Sequence, residues 1–263
     1  MSATTPFSTA DLGIEREGAV AVIELRRPPH NFFDLDLITR VADACEAFDA
    51  DPEVRAIVLR AQGKSFSAGA NLANKDAPGT APVHPQRHTY REALRIFKTG
   101  KPIVAAVQGA AIGGGLGLAL VADFRVACPE ARLSANFTKL GFHPGFGLTA
   151  TLPWLIGRQK AALMFYTSRN IDGQTALAMG LVDQVVPQAE VHGAAMALAQ
   201  ELAGVGPLAL RATRATHRRS LIPEIEQALE REMTEQAWLG KTRDFQEGLA
   251  AVRERREPRF SGQ

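Results

Sequence analysis

Cysteine is scarce in this chain. Only Cys45 and Cys128 occur, each in or beside an apolar run, so a disulfide framework is excluded and buried thiols in a reducing compartment are expected. Neither sign of charge dominates: 30 basic residues against 28 acidic ones leave +2, no electrostatic footprint for nucleic acid. Met1–Gly18 lacks a basic patch followed by an apolar core, so no secretory leader is expected and the cytoplasm is the expected compartment. Residues 103–122 are apolar enough to imitate a membrane span. Gln108 and the glycines in their middle read instead as a buried strand, a tight turn and a buried helix, so no membrane partner is expected. Familiar site motifs are also missing. Gly63-Lys64-Ser65 ends like a phosphate loop, but position 58 is valine, where that loop needs glycine. The run around Gly113 does not fit G-x-G-x-x-G, and no G-x-S-x-G nucleophile elbow occurs. Acid is missing over a long stretch: no Asp or Glu lies between Ala131 and Ile171.

What the chain does have is a pair of short segments rich in small residues, Phe66-Ser67-Ala68-Gly69-Ala70-Asn71-Leu72 and Ile112-Gly113-Gly114-Gly115-Leu116-Gly117. Each follows an apolar β-like run, Ala56-Ile57-Val58-Leu59 and Ile103-Val104-Ala105-Ala106-Val107. Small residues at a strand end let a ligand approach the main chain and leave N–H groups free to donate. The second segment also opens an apolar helix, whose unpaired amides and positive dipole end favour developing negative charge. Two such donors converging on one carbonyl oxygen make an oxyanion hole.

With these segments, Pro28-Pro29-His30-Asn31-Phe32-Phe33 resembles the early Pro-x-x-Asn-Ala stretch of the crotonase (enoyl-CoA hydratase/isomerase) family, with Phe32 in place of the usual alanine. Ala176 to Pro187 is similar to that family's AL-x-x-GLVD-x-VVP signature, and Glu247-Gly248 followed by Arg255-Arg256-Glu257-Pro258-Arg259-Phe260 resembles its tail. The resemblance runs from residue 14 onward. It implies an α/β fold of the crotonase type, a spiral of repeated β-β-α units with a helical C-terminal trimerisation region. It implies an acyl-CoA thioester as partner, a homotrimer or dimer of trimers, and no cofactor beyond the CoA that arrives on the substrate. The Ala70 and Gly114 N–H groups would hold the thioester oxygen, with Ala68, Asn71 and Gly113 beside it. Asn71 stands where an aspartate is frequent and reads as structural.

The same resemblance exposes a deficit. Hydratases of the family add water with two glutamates, and the matching positions here are Gly117 and Phe137. A further carboxylate position used by some isomerases and dehalogenases maps near Gly145 and is also empty. Proton transfer and water activation need a positioned base, so two-glutamate hydration is not expected. Isomerisation, decarboxylation or C–C cleavage remain, with a non-catalytic acyl-CoA-binding homologue as the alternative. His143, in the turn Gly141–Gly147, is the leading acid/base substitute, since an unperturbed imidazole titrates near ~6.5; the other reading is a turn histidine bonded to backbone or solvent. Asn136 and Thr138 could orient water without being bases. His88 and Tyr90 are candidates for the acyl pocket, as are Phe137 and Phe142, with Phe146 if the turn faces inward; core packing accounts for each phenylalanine equally well. Asp76 is a carboxylate that a loop could deliver. His84 and His88 stand four apart, but Pro85 and the missing glutamate of H-E-x-x-H weaken a metal site, and none is expected. Arg26, Arg27 and Phe260, with Arg253, Arg255, Arg256 and Arg259, are the candidates for meeting CoA.

Strand-like runs at Ala19–Leu25, Val54–Ala61, Pro102–Val107 and Phe124–Ala127 alternate with helical patterns, which predicts an α/β core with crossovers. Asp34 can cap a helix over Leu35–Asp49, and further helices are expected over Pro85–Phe97 and Gly113–Asp123. From Leu148 the pattern is nearly all helical. Val191–Ala203, Pro207–Ser220, Pro223–Leu239 and Thr242–Glu254 are separated by Gly or Pro. The expected division is a spiral core over 1–200 and a helical region over 201–263 that packs on a partner. Asp76–Pro85 has the composition of a mobile loop.

Overall fold

A computed structural model describes residues 8–71 and 88–263. Asp76, His84 and the proposed loop Asp76–Pro85 lie outside these residues, as does the start of the helix expected from Pro85. Strands β1 (Leu12–Glu17), β2 (Val20–Leu25), β3 (Ala56–Ala61), β4 (Ile103–Val107), β6 (Phe124–Ala127) and β8 (Gln184–Val185) form the larger sheet in that order. Only the β1–β2 pair is antiparallel; β2, β3, β4, β6 and β8 run parallel. The short strands β5 (Ala110–Ile112) and β7 (Arg132–Ser134) make a second, two-stranded sheet. Two successive units, β4–β5 and β6–β7, therefore contribute one strand to each sheet before the chain turns helical, in keeping with the expected β-β-α repetition. β2 and β4 are buried along their full length, as strands covered on both faces must be, which explains their unbroken apolar runs.

Residues 103–122 resolve into β4, β5 and a short helix α3 (Gly114–Ala119). The helix expected to reach Asp123 stops early because Asp123 turns back into the sheet, where its carboxylate accepts from the Ile103 amide at 2.9 Å. No single helix among the described residues is long and apolar enough to cross a membrane. Helix α1 (Leu35–Ala50) starts as its capping signal requires, with Asp34 Oδ1 accepting from Leu37 N at 2.8 Å. Both cysteines are free and buried, and burial pushes the Cys45 thiol up to about 12, so it stays protonated and inert.

The C-terminal half is helical: α4 (Leu148–Ile156), α5 (Arg158–Thr167), α6 (Gly173–Met179), α7 (Val191–Ala203), α8 (Pro207–Arg218), α9 (Leu221–Leu239) and α10 (Arg243–Glu254). Within its own chain, α9 packs on α4 and on α2 (Thr89–Phe97). It buries Leu221, Ile225 and Leu229 at helical spacing. Only α8 stays largely open to solvent, with Arg218 its single buried residue.

Glu232 continues the buried stripe of α9, and this has a structural use. Helix α4 begins at Gly147, which has no side chain to cap it. Glu232 supplies the cap from across the fold, accepting from Gly147 N at 2.8 Å, Thr149 N at 3.0 Å and Thr149 Oγ1 at 2.6 Å. Burial pushes its pKa from an ordinary 4.5 up to about 7, against the pull of those donors. A raised folded-state pKa means the neutral form is favoured on folding. That stability is complete below pH 4.5 and is lost as pH rises through 7. The shift corresponds to about 3 kcal/mol. The stability advantage of the wild type over Glu232→Gln should therefore shrink by that amount between these limits in urea titrations. Parallel stability–pH curves would show that Glu232 does not titrate in this window.

Candidate active site

The two glycine-bearing segments meet. A side chain on Gly69 would place its Cβ 3.0 Å from Gly114 N, and one on Gly115 would lie 2.0 Å from Ser67 O. Any Cβ at either position would force the segments apart, so glycine is required by close approach. Gly69 and Gly113 also have φ of 77° and 57°, a region that L side chains rarely adopt. Ser67 pairs with Ala111 and Phe33 with Ala70 as isolated parallel bridges.

Buried Asn31 fixes the loop that carries the first segment. Its Nδ2 donates to Gln62 O at 2.8 Å and Ser65 O at 2.7 Å. Its Oδ1 accepts from Arg27 N at 2.9 Å, and its carbonyl accepts from Ser67 Oγ at 2.8 Å. This is the physical role of the asparagine in the early Pro-Pro-His-Asn stretch. Ala68 donates to His30 O and Gly113 to Ser134 O. Among the described residues, neither the Ala70 N–H nor the Gly114 N–H finds an acceptor, although both residues reach the surface. Asn71 is half-buried beside them.

An aromatic wall borders the second glycine segment and the expected acid positions Gly117 and Phe137. A Cβ on Gly117 would lie 2.6 Å from the Phe146 Cβ, and Phe146 is fully buried. Phe146 packs on Phe33 with ring centroids 5.2 Å apart, and Tyr90 meets its edge at 6.1 Å. The Phe33 ring tip in turn lies 2.7 Å from where a Gly114 side chain would start. Phe137 is buried with its ring 3.7 Å from the corresponding point on Gly113. The empty position at Gly145 is filled as well, since a Cβ there would fall 1.8 Å from the Tyr90 hydroxyl. Phe146 holds a left-handed φ of 62°, so the turn is strained to aim this side chain inward.

His88 adjoins the wall, 4.8 Å from Tyr90 between centroids. It caps α2, its Nδ1 accepting from Tyr90 N at 3.1 Å. In the neutral ring the proton therefore sits on Nε2, which makes His88 a donor and not a base. Burial, with help from the Arg91 charge, moves its pKa below the ordinary range and keeps it neutral. Burial and the nearby Glu232 raise the Tyr90 phenol, which is no base either. His143 has the opposite tautomer. Its Nδ1 lies 2.7 Å from Pro144 O, an atom that only accepts, so Nδ1 carries a proton and, in the neutral ring, Nε2 is the nitrogen with the lone pair. Gln236 of α9 ties the two regions together, accepting from the Tyr90 hydroxyl at 2.9 Å and donating to His143 O at 2.8 Å.

Other candidates sit elsewhere. Phe142 stacks on Phe245 of α10 at 4.4 Å and borders Gly240, so its ring is committed to the C-terminal helix and not to the Gly113–Gly114 wall. Thr138 Oγ1 is taken by Phe165 O and Ser168. Arg26 and Arg27, the expected cations for CoA, are each ion-paired. Arg26 is held by Glu24 at 2.6 Å and Glu15 at 3.0 Å, and Arg27 by Asp34 at 2.8 Å and Asp11 at 3.0 Å. Arg256 is likewise paired with Glu247 and Glu254. Phe260 is exposed on the tail, which folds back on α10 through Asp244 and the Ser261 and Gly262 amides. No group of three metal-binding side chains occurs among the described residues.

Residues that sequence reading missed are Phe33, Gln236 and Glu232. Glu232 alone left a signal, as an acid on the apolar stripe of α9. It is fully buried with both oxygens engaged, so it is not a carboxylate presented to substrate.

Known proteins are similar to this chain in sequence and fold. The family model for enoyl-CoA hydratase/isomerase matches residues 15–263. Crotonyl-CoA hydratase of Syntrophomonas wolfei is 32% identical over 250 residues, 94% of this chain and 96% of the relative. Mouse mitochondrial methylglutaconyl-CoA hydratase is 33% identical over 255 residues, 95% of this chain and 81% of the relative. The crystal structure of an enoyl-CoA hydratase/isomerase from Pseudoalteromonas atlantica superposes with a TM-score of 0.88 at 28% identity, covering 95% of this chain and all of that one. The spiral of β-β-α units, the converging glycine segments and a match along nearly the whole length lead to one conclusion: the chain belongs to the enoyl-CoA hydratase/isomerase family and has the crotonase fold.

Proposed function

We propose that this protein transforms an acyl-CoA through a thioester enolate held by the Ala70 and Gly114 N–H groups, without two-glutamate hydration. The observation that carries this reading is the site's asymmetry. Two amides are left without acceptors at a close approach of main chain, while Phe146 fills the volume of one glutamate and Phe137 replaces the other. Oriented amides stabilise an enolate oxygen by about 3 kcal/mol each in comparable sites, but they move no proton.

His143, with Nε2 as its free acceptor, is the proposed acid/base. His88 and Tyr90 contribute neutral donors and apolar surface. The reactions this equipment suits are isomerisation, decarboxylation and C–C cleavage. Decarboxylation is the least demanding, since departure of the carboxyl group creates the enolate without a base. The aromatic wall of Phe33, Phe137 and Phe146 favours an apolar or aromatic acyl group. A homotrimer is part of the proposal, and exposed Trp154, Leu163 and Tyr166 on α4 and α5 supply apolar surface for assembly to cover.

Incubating the protein with enoyl, β-hydroxyacyl, malonyl-type and aryl-acyl thioesters in deuterium oxide, followed by mass spectrometry, tests this directly. Loss of carbon dioxide, α-deuterium incorporation, double-bond migration or chain cleavage is expected. Efficient hydration of enoyl-CoA would overturn the exclusion of water chemistry. Tight binding with every thioester unchanged would favour a non-catalytic acyl-CoA binder.

A further inference from the structure

The cleft between α8 and the loop from α2 to β4 concentrates positive charge that the acyl-CoA chemistry does not use. Lys98, Arg211, Arg214, Arg218 and Arg219 line a cavity of about 470 Å³, whose apolar lining includes Phe97 and Ile222. No carboxylate lines it. Arg214 Nε and Arg218 Nη1 share one acid, Asp123, at 2.9 and 3.0 Å. Their other bonds go to main-chain carbonyls, Arg214 to Thr99 O and Arg218 to Phe97 O.

That pairing is incomplete. Arg214 Nη2 and Arg218 Nε remain buried without a partner, and Arg218 as a whole is only 6% exposed. Arg211 and Arg219, on the rim, have no ion pair among the described residues, and Lys98 has only a loose exposed contact with Glu226 at 3.5 Å. A further acid, Asp49, accepts from the Gly100 and Lys101 amides. Helices α2 and α8 both end here, and their negative dipole ends offset about one unit of positive charge between them. With Asp123, Glu226 and Asp49 also counted against the five cations, a positive excess of about one unit remains.

We propose that this cleft binds a small polyanion of the phosphate class, such as pyrophosphate or a phosphomonoester, gripped by Arg211 and Arg219 at the rim above Arg214 and Arg218. Planar guanidinium forks match phosphate oxygens in pairs, and the volume suits a small molecule and not a lone monatomic ion. The cleft opens at Gly100, before β4, whereas the Ala70–Gly114 site lies beyond the other end of that strand. Five residues of strand separate the two ends by about 17 Å, so the cleft is a second site.

Calorimetric titration of inorganic pyrophosphate into the wild type and into an Arg211→Ala/Arg219→Ala variant tests the assignment. Both residues are exposed, so folding should survive, and circular dichroism checks that it does. Saturable binding by the wild type and at least tenfold weaker binding by the variant are expected, with CoA affinity the same in both. Absence of binding by the wild type, or equal affinity in the variant, would overturn the site. A second titration, of CoA into pyrophosphate-saturated protein, separates the two sources of phosphate. Unchanged CoA affinity supports an independent anion, while competition would overturn it by assigning the cleft to the phosphates of CoA itself.

Discussion

Replacing His143 with alanine is expected to lower kcat on the acyl-CoA substrate by about two to four orders of magnitude, the usual contribution of a positioned acid/base. Thioester affinity should stay within about threefold, because the amides of Ala70 and Gly114 that would hold the oxygen are untouched. The expectation rests on geometry. Pro144 O fixes a proton on Nδ1 of His143, so in the neutral ring Nε2 is the acceptor, while the His143 carbonyl accepts from Gln236 Nε2. His88 offers the internal control. Its Nδ1 is consumed by the α2 cap, so His88→Ala should cost stability through the lost cap, about 1 kcal/mol, more than it costs proton transfer. Comparing kcat, KM and thermal stability for the two variants separates these roles. Equal kcat in wild type and His143→Ala would remove His143 from the chemistry.

A second large effect is expected from placing a carboxylate at Gly117. Gly117→Glu should destabilise the fold by about 3 kcal/mol or more, since overpacking typically costs 1–3 kcal/mol and an unpaired buried acid adds to it. The cause is local: the new Cβ would lie 2.6 Å from that of Phe146, in a core with no room to yield. Phe146→Gly should relieve the clash because φ at that position is 62°, which glycine adopts without strain. Alone it opens a cavity and should cost about 3–5 kcal/mol. Together the two changes should be strongly non-additive, with a favourable coupling of about 2 kcal/mol in urea denaturation. Additive costs would mean that Phe146 does not occupy the glutamate's volume. Hydration should not appear in the double variant, because Phe137 still stands at the second position.

Both expectations mark where sequence reading stopped. That Gly117 and Phe137 lack carboxylates is plain in the chain; that Phe146 fills the first gap and Phe33 closes behind it is not. The Arg26 and Arg27 side chains illustrate the same limit. In sequence they are a basic pair beside a turn, while in the fold each is neutralised by two acids, with Asp11 16 residues from Arg27. The cap on α4 is more distant still, with Gly147 and Glu232 separated by 85 positions.

The sequence by itself determined the alternation of strand and helix, the cap at Asp34, the family and the two segments proposed to form the hole. These follow from near neighbours: apolar periodicity, an acid or hydroxyl before a helix, and glycine where no Cβ can fit. Tertiary structure alone decided which rings pack against Gly117 and Gly113, which nitrogen of His88 and of His143 is bonded, and which cations face a cleft unpaired. Those outcomes depend on contacts between residues far apart in the chain. A side chain's partners there are set by how whole elements pack, which no local pattern encodes.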